Sequence, residues 1–174
     1  LGKALELLDD VGCNMVRCWG GNVYESDEFF DFCDKHGIMV WQDFAMACVV
    51  PPQDEIFVNK ITEEAVYQIK RLRNHAALVL WAGDNENDMV YCERTGAFAC
   101  DPNKNEITRS VIKKALLCHD LTRPYLPSSP YISERAYKNN FATVEDHLWG
   151  PRDYFKGDFY TNSKCCFASE TGYH

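Results

Sequence analysis

Two segments of the sequence place a glutamate directly after a run of apolar residues. In Trp81-Ala82-Gly83-Asp84-Asn85-Glu86, three side chains that need hydrogen bonds follow an apolar run, and in the segment from Cys165 to Glu170 a carboxylate ends another. Burial disfavours the charged form of a carboxyl group and raises its pKa, which suits a general acid working near neutral pH. Taken alone, each motif is equally compatible with an ordinary turn or a solvated glutamate.

Taken together, Glu86 and Glu170 fit one kind of chemistry. Glycoside hydrolysis uses two carboxyl groups that flank the scissile bond. One protonates the leaving oxygen, and the other attacks the anomeric carbon or activates water. Their separation along the chain is no obstacle, because the carboxyl ends of parallel strands converge on one face of a barrel.

Several neighbouring residues are candidates for binding a sugar. Asn85 precedes Glu86 and could bond a sugar hydroxyl, and the tryptophans lie at or near the ends of apolar runs: Trp19, Trp41, Trp81 and Trp149. Sugar C–H faces stack on such rings, although a tryptophan is also commonly a core residue. His147 stands beside carboxylates in Glu145-Asp146-His147-Leu148-Trp149, where a binding role and a structural role are both open.

The histidines and cysteines do not have the spacing of a metal site. The five histidines include no HExxH motif and no close pair, and the nine cysteines form no CxxC motif. We therefore expect no metal. The scattered cysteines sit in apolar runs, as free thiols do, which predicts a reduced and cytoplasmic protein.

Apolar patterns predict alternating helices and strands. Helical patterns cover 1–11, 27–36, 54–72 and 107–119, and strand patterns cover 13–19, 38–44, 76–83, 123–129, 144–149 and 164–170, with loops at 84–105 and 131–143. This order is typical of βαβ units and a parallel sheet, so the fold class is α/β.

A doubly wound sheet and a barrel both fit this order. No GxGxxG or GxxxxGK[ST] motif follows a strand, and polar side chains gather where strands end, which favours a TIM (β/α)₈ barrel. Six strands are recognisable, so we expect residues 1–174 to form a partial, truncated barrel without its first strand and its last βα unit.

Composition excludes several partners. The formal net charge of −8 disfavours nucleic acid and anionic membrane surfaces, which both require basic patches. The sequence contains no apolar run of 18 residues, so no membrane-spanning helix is expected.

Five motifs in order resemble the barrel domain of glycoside hydrolase family 2, nearest its β-mannosidase branch, over nearly the whole chain. The similar segments read NMVRCWGGNVYE at 14–25, GIMVWQDF at 37–44, RLRNH at 71–75, DNE at 84–86 and SETG at 169–172. The sequence departs from the branch's pattern at Asn22, Asp84 and Thr171, which bears on the substrate more than on the chemistry.

The resemblance implies a retaining hydrolase for terminal β-linked sugars, in which Glu86 is the general acid/base and Glu170 the nucleophile, about 5–5.5 Å apart. It implies that Asn85 binds the 2-hydroxyl and that Trp19 lines the sugar subsite, with Trp41, Asp84, His147 and Trp149 as further candidates for substrate binding. No cofactor is implied, and further domains are expected to pack on the barrel. Two alternatives are a family 2 enzyme for β-glucosaminides, β-galactosides or β-glucuronides and a non-catalytic carbohydrate-binding barrel.

Overall fold

The protein has an α/β fold in which all paired strands run parallel. A computed structural model describes residues 2–93, 100–139, 143–150 and 157–173. Its strands are β1 (Met15–Cys18), β2 (Met39–Asp43), β3 (Leu78–Ala82), β4 (Tyr125–Leu126), β5 (Asp146–Gly150) and β6 (Ala168–Tyr173). Its α-helices are α1 (Gly2–Asp10), α2 (Asp27–His36), α3 (Glu55–Leu72), α4 (Asn87–Glu93), α5 (Lys113–His119), α6 (Glu134–Asn139) and α7 (Asp158–Thr161).

Helix α3 shows why the local sequence forms its element. The Asp54 side chain accepts a hydrogen bond from the Phe57 amide at 2.9 Å, which caps the first turn, and Glu55 and Lys70 place charges that complement the helix dipole. One face is buried at intervals of three or four residues, at Ile61, Ala65, Gln68, Ile69 and Leu72. The predicted helix at 54–72 is thereby confirmed.

The strands form two parallel sheets. Strands β1, β2, β3 and β4 lie in that order in one sheet, and β5 pairs with β6 in the other. Arg17 of β1 is opposite Trp41 of β2, and His147 of β5 is opposite Glu170 of β6. Among the described residues, no ladder joins β4 to β5, so the boundary between the two sheets lies between them.

Some elements differ from the sequence prediction. The strand expected at 123–129 is only Tyr125–Leu126, because the prolines beside it cannot donate to a ladder. The loop expected at 131–143 contains α6, and the helix expected at 107–119 begins as a π-helix over Ile107–Ile112. Strand β6 continues past Glu170, which therefore lies inside the strand and not at its end.

The buried apolar residues and the buried polar residues occupy different parts of the fold. The apolar core is formed where α2, α3 and α5 pack on the first sheet, and it includes Phe30, Val40, Ile69, Leu78 and Ile112. Many of the buried polar residues lie at or just beyond the carboxyl ends of β2, β3 and β4, including Asp43, Asn85, Ser128 and Ser129, and the buried His147 lies near the start of β5. Buried polar groups need hydrogen-bond partners, so this end of the molecule must hold a dense polar network.

All nine cysteines are free thiols. None of the described helices has the length and apolar character needed to cross a membrane.

Candidate active site

Glu86 follows β3 in an unusual backbone conformation. Its φ is 60°, in the left-handed region, which costs a residue with a side chain about 1–2 kcal/mol. Hydrogen bonds to both neighbouring loops hold this turn: the Glu86 amide donates to the Ser129 carbonyl at 2.8 Å, and the Asn85 amide donates to the Met46 carbonyl at 2.9 Å. The strained turn directs the carboxylate across the strand ends.

His147 connects Glu86 with Glu170. Its Nδ1 lies 2.7 Å from Glu86 Oε1 and 3.5 Å from Glu170 Oε2. One carboxylate oxygen of each glutamate and one nitrogen of His147 all lie within 4.8 Å of one another. The structure thus brings together the two glutamates that are 84 positions apart in the chain (170 − 86).

Both carboxylate oxygens of Glu170 accept hydrogen bonds. The indole Nε1 of Trp149 donates to Oε1 at 2.8 Å, and Nη1 of Arg17 donates to Oε2 at 3.2 Å. The two donors therefore give the Glu170 carboxylate a fixed orientation.

Arg17 is the centre of the polar network. It makes a two-point contact with Asp43, at 2.8 and 3.3 Å, and donates to Asn85 Oδ1 at 3.0 Å, while its guanidinium carbon lies 5.1 Å from the ring centre of Trp41. Nη1 of Arg17 is also 3.3 Å from His147 Nε2. Because a guanidinium can only donate, Nε2 must accept, and the proton of a neutral His147 then sits on Nδ1, facing the glutamates.

An open cleft lies beside Glu170. It has a volume of about 500 Å³ and is lined by Arg17, Trp19, Trp149, Ser169, Glu170 and Thr171. Trp19 and Trp149 are 45% and 40% exposed, whereas Trp41 is buried and donates to Asp43. Both Trp19 and Trp149 thus border the cleft with partly exposed side chains.

Cys48 approaches Glu86 from the other side. Its thiol donates to Glu86 Oε2 at 3.3 Å, and its Sγ is 3.6 Å from the Asn85 amide nitrogen. Burial and the carboxylate of Glu86 raise the pKa of this thiol, which keeps it protonated and able to donate. Cys48 is therefore a neighbour of the acidic group rather than a nucleophile.

Asp84 lies apart from the cleft. Its side chain is fully buried and accepts hydrogen bonds from the Ser128 hydroxyl and the Asn87 amide, while Oδ2 has no partner. Burial, and then the nearby carboxylate of Asp88, raise the pKa of Asp84 well above its ordinary value. Asp84 is therefore a structural element behind the strand end, and its carboxyl group does not face the open cleft.

The structure therefore gathers most of the residues that the sequence singles out. Glu86, Glu170, Asn85, His147 and Trp149 form one connected cluster, Trp19 borders the cleft, and Trp41 lies beneath Arg17. Sequence reasoning assigned no role to Arg17, which stands inside the 14–25 motif, and noted Glu145 only as a carboxylate near His147. It missed Cys48 and Ser129, and the position of Ser129 just after a strand is the one signal that could have found it.

Two groups of side chains have the spacing of metal ligands. They are Glu86 with His147 and Glu170, and Asp31 with Asp34 and His75. In the second group, Asp34 already accepts from His75 at 2.7 Å and from the Ala77 amide at 2.6 Å. Hydrogen bonds thus account for the first group and for Asp34 and His75 of the second, whose Asp31 lies 3.9 Å from His75 Nδ1. Arg17 places a positive charge beside the first group.

Sequence comparison gives consistent relatives. No family model matches the chain. The chain is 35% identical over 187 residues to the "Beta-mannosidase" of Capra hircus, covering 97% of the chain and 21% of that protein. It is 38% identical over 148 residues to "Beta-mannosidase B" of Thermothelomyces thermophilus, covering 78% of the chain and 17% of that protein. The chain thus spans about a fifth of the length of these relatives.

Structural comparison agrees with the sequence. The crystal structure of the β-D-mannosidase from Dictyoglomus thermophilum superposes with a TM-score of 0.70 at 41% identity, covering 83% of the chain and 18% of that protein. A β-glucuronidase from Bacteroides uniformis superposes with a TM-score of 0.69 over 98% of the chain and 22% of that protein, but at 15% identity, which reflects the fold alone. The chain therefore belongs to the β-mannosidase-like members of glycoside hydrolase family 2.

Proposed function

We propose that the protein is a retaining glycoside hydrolase that cleaves terminal β-mannosides. The observation that carries the proposal is the close approach of Glu86 and Glu170. One carboxylate oxygen of Glu86 lies within 4.8 Å of one carboxylate oxygen of Glu170. Retaining glycosidases have carboxyl groups about 5–5.5 Å apart, whereas inverting ones need about 6.5–9.5 Å to admit a water. The spacing supports direct attack by one carboxylate on the sugar.

In the first step, Glu170 is the nucleophile. Its carboxylate attacks the anomeric carbon while Glu86 gives its proton to the glycosidic oxygen, so the aglycone leaves as an alcohol and a glycosyl ester forms on Glu170. Arg17 and Trp149 hold the two oxygens of Glu170 in place before the attack. This orientation lowers the entropy cost of reaching the transition state.

In the second step, Glu86 is the general base. It takes a proton from a water molecule whose oxygen attacks the anomeric carbon, the ester bond to Glu170 breaks, and both carboxyl groups return to their starting states. His147 donates to Glu86 Oε1 at 2.7 Å. That contact fixes the orientation of the carboxyl group and leaves Oε2 as the oxygen that exchanges the proton.

The cleft supplies contacts for the sugar. Arg17 holds Asn85 Oδ1, so the amide nitrogen of Asn85 can donate to the 2-hydroxyl group. Trp19 and Trp149 offer apolar faces for the C–H surface of the ring. We assign Trp41 and Asp84 indirect roles, since both are buried, with Trp41 donating to Asp43 and Asp84 accepting from Ser128.

We further propose that residues 1–174 are part of a (β/α)₈ catalytic barrel. Six parallel strands in two sheets, with polar side chains at the carboxyl ends, support this assignment. In the proposed protein, the remaining strands and further domains pack against this segment. The coverage of about a fifth of each relative supports such an arrangement.

The names of the relatives favour β-mannosides as the substrate. Other β-linked sugars are the second candidate, because enzymes for them have a similar fold. Thr171 lines the cleft next to Glu170 and departs from the aromatic residue of the β-mannosidase pattern, so it is the position at which the sugar preference is most open. A non-catalytic binding barrel would not need the two carboxylates at reacting distance.

The proposal is tested by turnover of the full-length protein with 4-nitrophenyl β-glycosides. We expect the mannoside to exceed the glucoside, galactoside, glucuronide and glucosaminide, and proton NMR should first detect the β-anomer of the product. Glu170→Ala should abolish turnover, and Glu86→Ala should slow unactivated aglycones most. An initial α-anomer would contradict the retaining mechanism, and near-normal activity of Glu170→Ala would contradict the nucleophile. Glu134→Gln on the exposed face of α6 is the matched control.

A further inference from the structure

The two catalytic candidates stand on different sheets. Glu86 follows β3 of the four-stranded sheet, and Glu170 lies in β6 of the two-stranded sheet. Among the described residues, no backbone hydrogen bond connects β4 with β5. The distance between the two carboxylates therefore depends on side chains that cross this boundary.

The Glu145 side chain crosses the boundary and accepts hydrogen bonds from residues on both sides of it. Its Oε2 accepts from the Ser129 hydroxyl at 3.0 Å, its Oε1 accepts from the Tyr131 amide at 2.9 Å, and the Ser169 hydroxyl also donates to Oε2. Glu145 is only 4% exposed, and burying a carboxylate is costly unless it is well bonded. The three donors satisfy that requirement.

The partners of Glu145 are adjacent to the reacting groups. The Ser129 carbonyl accepts from the Glu86 amide, and the Ser129 hydroxyl is 3.1 Å from His147 Nε2. Ser169 directly precedes Glu170 in β6. One buried carboxylate thus holds the neighbour of the acid/base on one side of the boundary and the neighbour of the nucleophile on the other.

We propose that Glu145 is a positioning residue that fixes the separation of the Glu86 and Glu170 carboxylates. The inference rests on the proposed function, and it adds a residue that does not touch the substrate. Glu145 acts through Ser129 and Ser169, so its loss should lower the rate of attack by Glu170 without weakening the binding of the sugar.

The test uses the full-length protein and a 2-deoxy-2-fluoro-β-mannosyl fluoride. With this probe Glu170 displaces fluoride, which leaves as the free anion, and the glycosyl ester accumulates. The maximal inactivation rate reports the attack, and the half-saturating concentration reports binding. A displacement of about 1 Å costs on the order of 100-fold in rate, which is the loss we expect for Glu145→Ala, with half-saturation changed less than about twofold.

Two further variants separate positioning from folding. Glu145→Gln keeps an acceptor for the Tyr131 amide, and the serine hydroxyls can reverse to accept from its amide, so the rate should recover most of the loss. Ser129→Ala removes one of the hydrogen bonds to Glu145. In the double variant with Glu145→Ala, the loss in activation free energy should be smaller than the sum of the losses in the two single variants. Glu134→Gln removes a surface carboxylate and should inactivate at the wild-type rate.

The outcomes are distinct. A folded Glu145→Ala protein that inactivates within about twofold of wild type, or one in which only half-saturation changes, overturns the positioning role. Additive effects of Glu145→Ala and Ser129→Ala overturn it as well. If the wild-type protein neither turns over mannosides nor reacts with the probe, the proposed function itself fails, which is a different result.

Discussion

His147 donates to Glu86 from a ring that is almost completely buried. The Nδ1 to Oε1 distance is 2.7 Å, and only 1% of the His147 side chain is exposed, against 23% for Glu86. From the sequence, both a binding role and a structural role are open for this histidine. The contacts favour an orienting role toward Glu86, because both ring nitrogens of His147 already have protein partners, Glu86 at Nδ1 and Arg17 at Nε2.

For this reason, His147→Ala should lower kcat with little change in KM. The expected loss is on the order of 100-fold, since Glu86 would lose the donor that orients it. Steady-state kinetics with an unactivated mannoside measure both constants. A variant with a raised KM and a normal kcat would restore the substrate-binding interpretation.

Trp149 lines the cleft and donates a hydrogen bond to Glu170, the proposed nucleophile. Trp149→Phe keeps an aromatic face but loses the donor to Glu170 Oε1. We expect kcat/KM to fall about tenfold, equivalent to the roughly 1.4 kcal/mol of a hydrogen bond to a charged group. Trp19→Phe, in the same cleft, is the control for the ring change. Equal losses in both variants would show that the indole donor of Trp149 is unimportant.

The buried carboxyl group of Asp84 makes stability depend on pH. Because its folded pKa lies above the ordinary value of 3.8, unfolding releases a proton between these two values, and the free energy of unfolding falls as pH rises through that window. Asp84→Asn removes the titrating group and should unfold with a free energy higher than wild type, by on the order of 1 kcal/mol at pH 7 and by less at pH 4. Urea denaturation at both pH values measures the difference in unfolding free energy between Asp84→Asn and wild type. A difference that is the same at pH 7 and pH 4 would contradict the prediction.

Arg109 compensates a second buried carboxylate. It donates to both oxygens of Asp88, at 2.7 and 2.5 Å, and the Asp88 side chain is fully buried. Arg109→Met should cost about 3–5 kcal/mol of unfolding free energy, because Asp88 would remain buried without its partner. Arg109→Met combined with Asp88→Asn should recover part of that loss in the same denaturation experiment. A single variant within about 1 kcal/mol of wild type would indicate that water replaces the guanidinium.

Local sequence signals predicted the regular elements well. Asp54 followed by a long amphipathic run gave helix α3, and the apolar run at 38–44 gave strand β2 over Met39–Asp43. These elements depend on period and capping, which are properties of neighbouring residues. The short strand β4 and the π-helix depend on what packs around them, and no local pattern indicates either one.

The structure brings together residues that the sequence singles out, but the sequence did not indicate how they are connected. Glu86 and Glu170 were recognisable because carboxylates rarely follow apolar runs, and Asn85 because it adjoins one of them. The roles of Arg17, Glu145 and His147 arise from contacts between strands that are far apart in sequence. Asp84 illustrates the converse, since a polar residue next to the acid/base turns away from the cleft into the interior.

At residue 86 the backbone is left-handed, so selection for stability and selection for activity favour different residues there. Glycine would adopt this conformation without the strain that glutamate carries there, so a chain selected only for tolerance to heat would tend to lose the proposed acid/base at this position. A chain selected for turnover keeps the glutamate and must stabilise the turn through Ser129 and Met46 instead. At residue 86, a substitution that raises thermal tolerance is therefore expected to lower activity.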